Sequence, residues 1–306
     1  MRTTELFTKL HHQRYLVLML LPALILIIIF RYIPLAGWVM AVKDYQLGFG
    51  MWEGEWTGLT NFKAFFFDTG DAAFVIRNTL IINFFSLIAS LVLSLMFALF
   101  LNELWSSRFK SIVQTCSLFP FFVSWVTAYA IFHAFLSVNF GIINQLLIRI
   151  GILSEGINFM GDKNYSWPLM IFVNTWKSLG YNTVIFLAAI AAINREQYEA
   201  AEIDGAGRFT KMRYITLPSL SETFMVLLII HSGRVFTVSL EQFFLFTNSA
   251  NRQTMEVFDM YIYRFGLQQL DISYATAVGV SKTIVSLFVF TVINHMSKKL
   301  TGKGII

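Results

Sequence analysis

Long apolar runs separated by polar connections dominate the chain, and they have the length that membrane-spanning helices need. A spanning helix takes about 20 mostly apolar residues. The pattern therefore predicts an all-α polytopic membrane protein with six transmembrane helices. The six segments of sufficient length are 15–38, 74–101, 112–136, 168–193, 216–240 and 275–296.

The first apolar run follows basic residues and so resembles the start of a signal peptide. No small-x-small cleavage site comes after it, because the next residues are Arg31, Tyr32, Ile33 and Pro34. Its apolar character continues to about Val42, beyond the roughly 7–15 residues of a signal's apolar region. We therefore interpret 15–38 as a retained first transmembrane helix.

Composition indicates that the chain lies in a lipid bilayer, and the distribution of charge predicts its orientation there. Only 13% of the residues are charged and 56% are hydrophobic, whereas a soluble domain is about 25% charged. Twelve Lys and Arg fall on the side of the N-terminus, the 102–111 and 194–215 loops and the C-terminal tail; seven fall in the longer loops opposite. The positive-inside rule then predicts a cytoplasmic N-terminus at 1–14 and a cytoplasmic tail at 297–306. A five-helix core at 74–296 follows the first helix.

The loops on the opposite side also carry structural signals. Gly48–Thr60 is rich in Gly and Trp, which is typical of a turn-dense loop whose Trp52 and Trp56 lie at headgroup level. Leu59–Phe67 and Thr254–Phe265 carry aromatic residues at helical spacing. We expect both to be short helices near the outer surface.

The inner loop 194–218 has the signals of a short capped helix. Asn194 is a candidate N-cap, with Gln197 three residues later in the capping-box position. A helix over Arg195–Asp204 would end before Gly205, a residue that suits the left-handed position after a helix. Because proline is tolerated in the first turn, the fifth spanning helix is predicted to begin at Leu217-Pro218.

This loop also contains the pattern E-A-A-x3-G-x9-I-x-L-P. The pattern resembles the signature of binding-protein-dependent ABC importer permeases. In that family the short helix is the coupling helix, which docks into a cleft on an ATPase subunit. The resemblance implies coupling residues in this chain at Tyr198, Glu199, Ala200, Ala201, Glu202, Asp204, Gly205, Ile215, Leu217 and Pro218.

Softer likeness extends over Arg31–Tyr45, Gly58–Phe62 and Asp259–Lys282, which resemble permeases of Gram-positive complex-oligosaccharide importers. The likeness implies a maltose-importer-like fold that moves a carbohydrate by alternating access. It also implies a second homologous permease forming a heterodimer, two ABC ATPase subunits that bind ATP and Mg, and an extracytoplasmic solute-binding protein. The large outer domain of the maltose importer's larger permease has no counterpart here.

Motifs of catalysis and metal binding are missing from the sequence. It contains no G-x-x-x-x-G-K-[ST], H-E-x-x-H, C-x-x-C or G-x-S-x-G. We therefore expect a transport subunit without catalytic residues, metal site, bound cofactor or nucleic-acid partner, and ATP hydrolysis on another subunit.

Polar residues inside the predicted spans are candidates for a substrate pathway. Asn174, Lys177 and Tyr181 share one helical face, and either line a pathway or leave Lys177 to snorkel outward or pair with a second permease. Arg234 and Glu241, seven apart on the fifth helix, suit either a gate or a buried polar network. We expect Lys282 to snorkel. The candidate pathway residues are Asn174, Trp176, Lys177, Tyr181, Asn182, Arg234 and Glu241.

Two other classes of membrane protein, and a permease for another solute, remain as alternatives. A secondary transporter predicts carboxylates at mid-membrane and inverted repeats, but no Asp lies inside a predicted span and Glu241 is at an end. A structural membrane protein gives no reason for a coupling-type loop. Carbohydrate as the cargo rests on the family resemblance.

Overall fold

The computed structural model describes residues 14–233, 235, 236 and 239–301, and these are mostly helical. The first helix begins as α1, Arg14–Ile27, and continues through a π turn at Ile28–Tyr32 into a 3-10 stretch at Ile33–Val42. Pro34 lies at the start of the 3-10 stretch, where its fixed φ and missing N–H fit the first turn of a helix.

The remaining elements include one small antiparallel hairpin, in which Lys43 pairs with Trp56. The other elements are helices. The two strands of the hairpin and the α-helices that follow are, in chain order, β1 Lys43–Asp44, β2 Glu55–Trp56, α2 Thr60–Lys63, α3 Asp71–Asn102, α4 Ser107–Phe122, α5 Trp125–Leu136, α6 Ile142–Arg149, α7 Lys163–Ala191, α8 Arg195–Ile203, α9 Arg208–Lys211, α10 Leu217–Ser232, α11 Leu240–Phe246, α12 Arg252–Met255, α13 Phe258–Tyr263 and α14 Ile272–Thr301.

Four helical stretches are long and apolar enough to cross a membrane. Two further pairs of helices pass the same test together but are sharply bent, so the described residues hold up to six spans. Each of the six apolar segments predicted from the sequence overlaps one of these. The stretches are Leu18–Val42, Asp71–Asn102, Arg208–Ser232 and Ile272–Val292; the bent pairs are Ser107–Phe122 with Trp125–Leu136, and Lys163–Ala191 with Arg195–Ile203.

The third predicted segment, 112–136, is not one continuous helix. α4 ends at Phe122 and α5 begins at Trp125 after a bend of 107°. Pro120, near the end of α4, has no N–H for the backbone hydrogen bonds of the helix. Ser124 then caps α5, because its side chain accepts a hydrogen bond from the Thr127 amide at 3.1 Å. The sequence therefore contains both signals for the break, a proline near the end of one helix and an N-cap serine before the next.

The fifth predicted segment, 216–240, is right at its start and wrong at its end, because α10 begins at Leu217 with Pro218 in its first turn and stops at Ser232. A helical path also precedes α10, from Arg208 in α9 through a π turn at 212–216. Pro218 has no N–H for a carbonyl one turn back, and the wider π turn absorbs this loss, with the Leu217 amide bonded to the Met212 carbonyl. Glu241 therefore lies in the separate α11, and Arg234 lies outside the described residues.

α3 and α7 run parallel to each other, since the residues that pair between them increase in number together along both helices. Asn174 bonds to Ser86, Ser178 to Ser90, and the Thr183 hydroxyl to the Ser94 carbonyl. Serine, threonine and asparagine are the small polar residues that hold helices together in lipid. Since α3 and α7 are parallel, the chain between them, including the broken α4–α5 pair, returns from one end of the bundle to the other.

Residues 248–271, which we call the cap, cover the end of this pair opposite the 194–218 loop. The Asn78 side chain donates to the carbonyls of Gln253 and Glu256 at 2.8 and 3.1 Å, and the Trp167 indole donates to Thr254 at 2.9 Å. The prediction of short helices near 254–265 is confirmed by α12 and α13.

Candidate functional site

The 194–218 segment folds as a short helix, a sharp turn and the base of a long helix. The predicted N-cap is confirmed: the Asn194 side-chain oxygen accepts from the Glu196 amide at 3.0 Å. Its amide group donates to the Glu196 carboxylate at 3.1 Å. The side chain that closes on the cap is therefore that of Glu196, in place of the expected Gln197.

The end of α8 is a Schellman turn. The Gly205 amide bonds to the Glu202 carbonyl at 3.0 Å, and the Ala206 amide bonds to the Ala201 carbonyl at 2.8 Å. Gly205 has φ of 76°, as predicted for the left-handed position. A Cβ there would meet no atom within 4 Å, so the backbone angle, and not lack of space, requires glycine.

Two side-chain contacts fold this segment back on itself. The Tyr198 and Thr216 hydroxyls are 2.8 Å apart, which ties α8 to the base of α10. Lys211 Nζ lies 2.6 Å from Glu202 Oε1, and this hydrogen bond lowers the pKa of the exposed Glu202 carboxyl. α8 is therefore held at a fixed angle to the long helix that follows it.

The outward surface of this segment is uncovered by the rest of the chain. Ile203 is 88% exposed, although isoleucine is normally buried. An exposed helix with small alanines and one large apolar side chain has the shape of a docking element. Of the predicted coupling residues, Tyr198, Ala201 and Ile215 are half-buried, whereas Glu199, Ala200, Glu202, Asp204, Gly205, Leu217 and Pro218 are exposed.

A second feature is a polar cavity of about 270 Å³ between α3, α7 and the chain around α11. Within the described part of the chain, Asn83 Nδ2, Asn182 Oδ1 and Gln242 Nε2 are buried without a hydrogen-bond partner, and all three residues line this cavity. Buried polar groups without partners are costly. Such groups at a cavity wall can bond to a polar guest or to water.

The predicted pathway residues that the structure describes divide among four surroundings, of which the break between α4 and α5 is described below. Asn174 and Asn182 line the polar cavity. Trp176 packs into an apolar cluster, edge-on to Phe132 at 5.4 Å between ring centroids. Glu241 is exposed at the start of α11.

Lys177 and Tyr181 face the break between α4 and α5. Lys177 Nζ donates to the carbonyls of Pro120, at 3.2 Å, and Val123, and it lies 4.8 Å from the centre of the Trp125 ring. The Tyr181 ring stacks on Phe121 at 4.5 Å. A cation at a helix C-terminus satisfies carbonyls that have no partner in the helix, so Lys177 supports the break and does not snorkel outward.

The expectation for Lys282 was wrong. Its ammonium pairs with Asp259 of the cap at 2.6 Å, so it is held by an ion pair. The expectation failed because the partner is 23 residues away in sequence, in a segment whose approach to α14 no local pattern shows.

Sequence reasoning missed most of the cavity wall. Ser86, Ser90, Ser178 and Gln242 line it and were not among the predicted residues. A signal was present: Ser86 and Ser90 on α3, and Asn174, Ser178 and Asn182 on α7, recur every four residues, which places each set on one helical face.

Comparisons with known proteins agree with these features. A family model described as "Binding-protein-dependent transport system inner membrane component" matches residues 90–302. The chain is 38% identical over 296 residues to Protein LplB of Bacillus subtilis strain 168, covering 97% of this chain and 92% of that protein. It is 39% identical over 302 residues to the polygalacturonan/rhamnogalacturonan transport system permease protein YteP of the same strain, covering 98% and 93%.

A solved structure is similar over the whole length. It is that of a bacterial alginate ABC transporter in complex with an alginate pentasaccharide-bound periplasmic protein. The TM-score is 0.87 at 33% identity, and the match covers 98% of this chain and 99% of that chain.

Proposed function

The chain belongs to the family of binding-protein-dependent transport system inner membrane components, and from this membership we propose how it works. It is a multi-pass membrane permease of an ABC importer, and its cargo is an oligosaccharide. The YteP relative, named for polygalacturonan and rhamnogalacturonan, and the alginate importer support a sugar cargo. Alginate is an acidic polysaccharide.

The proposed topology has six spans with both termini in the cytoplasm. The parallel run of α3 and α7 supports it, because the intervening α4–α5 pair must then cross the membrane once, as a broken helix. The first helix, α10 and α14 supply the other crossings. The excess of basic residues on the side of the 194–218 loop supports a cytoplasmic position for that loop.

We assign the docking of a separate ATPase subunit to α8. ATP and Mg would bind to that subunit, since this chain has no phosphate-binding loop motif. The full importer would contain a second permease, two ATPase subunits and an extracytoplasmic solute-binding protein. The similar alginate transporter was solved with its periplasmic protein, which supports the last of these partners.

The polar cavity is the proposed passage for cargo. A sugar presents many hydroxyl groups, and Asn83, Asn182 and Gln242 offer both donor and acceptor atoms that have no partner among the described residues. In alternating access, ATP binding favours one of two arrangements of the helices. The contact between Tyr198 and Thr216 links α8 to α10, and α10 leads to the cavity residue His231.

The observation that carries this proposal is the helix α8 with its Schellman turn at Gly205, because the signature residues form an exposed and rigidly angled docking element. The test is reconstitution with the ATPase subunits, the second permease and the solute-binding protein encoded with it. Labelled oligogalacturonates are the first probe, and a neutral malto-oligosaccharide is the comparison. We expect uptake that needs both ATP and the binding protein. Uptake driven by a proton or sodium gradient without ATP would contradict the proposal.

A further inference from the structure

The four-residue connection between α3 and α4 presents a tryptophan at the same end of the molecule as α8. Trp105 is 87% exposed, while the preceding Leu104 is half-buried. Ser106 caps α4 by accepting from the Phe109 amide at 3.3 Å. Because the connection is short and capped, the direction of the Trp105 ring is set by the two helices that it joins.

The ring directly contacts residues 194–218, which we call the coupling segment. The Arg208 guanidinium carbon lies 5.3 Å from the centre of the Trp105 ring, within the range of a cation–π contact. Arg208 begins α9, three residues after Gly205. Phe209 and Tyr214 on the same segment are also exposed. Trp105 therefore extends the uncovered surface of α8 across to the ends of α3 and α4.

We propose that Trp105, with Arg208 stacked on it, is a second docking element for the ATPase subunit, beside α8. This inference rests on the proposed function of α8. Tryptophan, tyrosine and arginine are the residues that dominate binding energy at protein interfaces. The stack holds both side chains in place before docking, which reduces the entropy that binding must spend on ordering them.

A membrane surface is the other environment in which an exposed tryptophan occurs. The charges of the neighbouring segment argue for the protein. Glu196, Glu199, Glu202 and Asp204 are exposed on or beside α8. They balance the four basic residues of the 194–215 loop, so this loop has no net positive charge to hold it against the anionic inner leaflet. A surface that combines these acids with the Trp105–Arg208 stack suits a protein partner with matching basic and apolar sites.

A mechanical consequence follows from the position of Trp105. Through α8 and the Tyr198–Thr216 contact, the ATPase would act on α10. Through Trp105 it would act on α3 and α4 as well. α3 supplies Asn83, Ser86 and Ser90 to the cavity wall, so the second contact would transmit movement directly to the proposed passage.

Photo-crosslinking in the complete transporter tests this contact. Three single replacements by p-benzoyl-L-phenylalanine are compared: Trp105, Ala200 on α8, and Trp52, which is 64% exposed in the loop at the opposite end. We expect the replacements at Trp105 and Ala200 to give adducts with the ATPase subunit, and the replacement at Trp52 to give none. The ATPase subunit is recognised as the one whose sequence contains a phosphate-loop motif.

The outcomes separate the two claims. If Ala200 crosslinks to the ATPase while Trp105 crosslinks only to lipid or within the permease, the inference is wrong and the proposed function stands. If neither residue reaches the ATPase, the proposed function fails as well.

Affinity gives an independent measure. We expect Trp105→Ala to weaken binding of the ATPase subunit to the permease in nanodiscs about tenfold, and Trp105→Phe to weaken it less. Trp52→Ala is the matched control and should bind as the unmodified chain does. Equal affinity for Trp105→Ala and the unmodified chain, at equal amounts of inserted protein, would also overturn the inference.

Discussion

Two carboxylate–cation pairs of equal length lie at opposite ends of the molecule. In the cap, Glu256 contacts Arg264 at 2.6 Å, and the side chains are 7% and 19% exposed. In the coupling segment, Glu202 contacts Lys211 at the same distance, but the Glu202 side chain is 63% exposed. The first pair is part of an interior, whereas the second lies on a surface in water.

The segments around the two pairs also differ in burial, since the cap is packed against other helices and the coupling segment is exposed. The cap is bonded to α3 and α7 through Asn78, Thr79 and Trp167, and its Tyr261 hydroxyl donates to Asp71 at 2.8 Å. Burial raises the pKa of Tyr261, which keeps it a donor. The coupling segment leaves its apolar and small residues uncovered. The cap is thus bonded to the rest of this chain, and the coupling segment leaves exposed the surface that we propose for a partner.

The largest effect is expected from a change that alters the shape of the coupling segment. Gly205→Val places a β-branched residue at φ of 76°, a strain of about 1–3 kcal/mol that the last turn of α8 can release by unwinding. We expect ATP-driven uptake to be abolished while the amount of inserted protein stays unchanged.

The matched control is Gly207→Ala. Gly207 has an ordinary φ of −72°, and a Cβ there would meet no atom within 4 Å. This variant should transport normally. Normal uptake by Gly205→Val would remove the coupling role from the turn.

The next effect separates the two ion pairs by stability. Glu256→Gln removes the buried carboxylate and leaves the half-buried Arg264 without its partner, and breaking a buried pair typically costs about 3–5 kcal/mol. We expect a clearly lower thermal unfolding temperature in detergent. Glu202→Gln removes an equally short pair from an exposed site, so unfolding should not change measurably. Equal destabilisation by both changes would contradict the distinction between the cap and the coupling segment.

A smaller effect is expected in the cavity that lies between the two regions. Asn182→Leu replaces a wall residue whose Oδ1 has no partner in the described part of the chain. The variant loses a hydrogen bond to the cargo, and a buried polar contact of this kind contributes roughly 1–3 kcal/mol. We therefore expect the KM of uptake to rise about tenfold. Trp176→Phe, in the apolar cluster, is the control and should leave KM unchanged. The reverse result would place the passage on the other face of α7.

How far the sequence alone predicts this arrangement depends on the range of the signal. Local signals worked: the apolar runs located the candidate spans, Asn194 marked the start of α8, and Gly205 marked its end. Signals that depend on distant partners did not. The ion pair of Lys282 with Asp259 and the position of Lys177 over the α4–α5 break both require knowing which segments meet, and no local periodicity contains that information.

The ends of the fifth helix show a different limit. The regular helix α10 begins at Leu217 with Pro218 in its first turn, as the preference of proline for that position predicts. What residue preferences did not predict is the π turn at Met212–Thr216, which connects α10 back to the helical turn at Arg208, because π turns are uncommon. The cavity was missed because its serines and asparagines are spread over two helices, and each set alone resembles ordinary helix packing.

The smallest predicted effect concerns the single hydroxyl pair that joins α8 to α10. Tyr198→Phe removes the hydrogen bond to Thr216 and keeps the ring. A hydrogen bond of this kind contributes about 1 kcal/mol. We therefore expect several-fold less sugar moved per ATP hydrolysed, measured in the same proteoliposomes. An unchanged ratio would show that coupling passes through other contacts.

The central claim is that the coupling segment is completed by an ATPase while the cap is complete without one. Hydrogen–deuterium exchange of the permease in nanodiscs, with and without the ATPase subunits, tests it directly. We predict strong additional protection of the amides at 195–206 when the ATPase is present, and no change at 252–264 in the cap. Unchanged exchange at 195–206 in a complex that hydrolyses ATP would contradict the account.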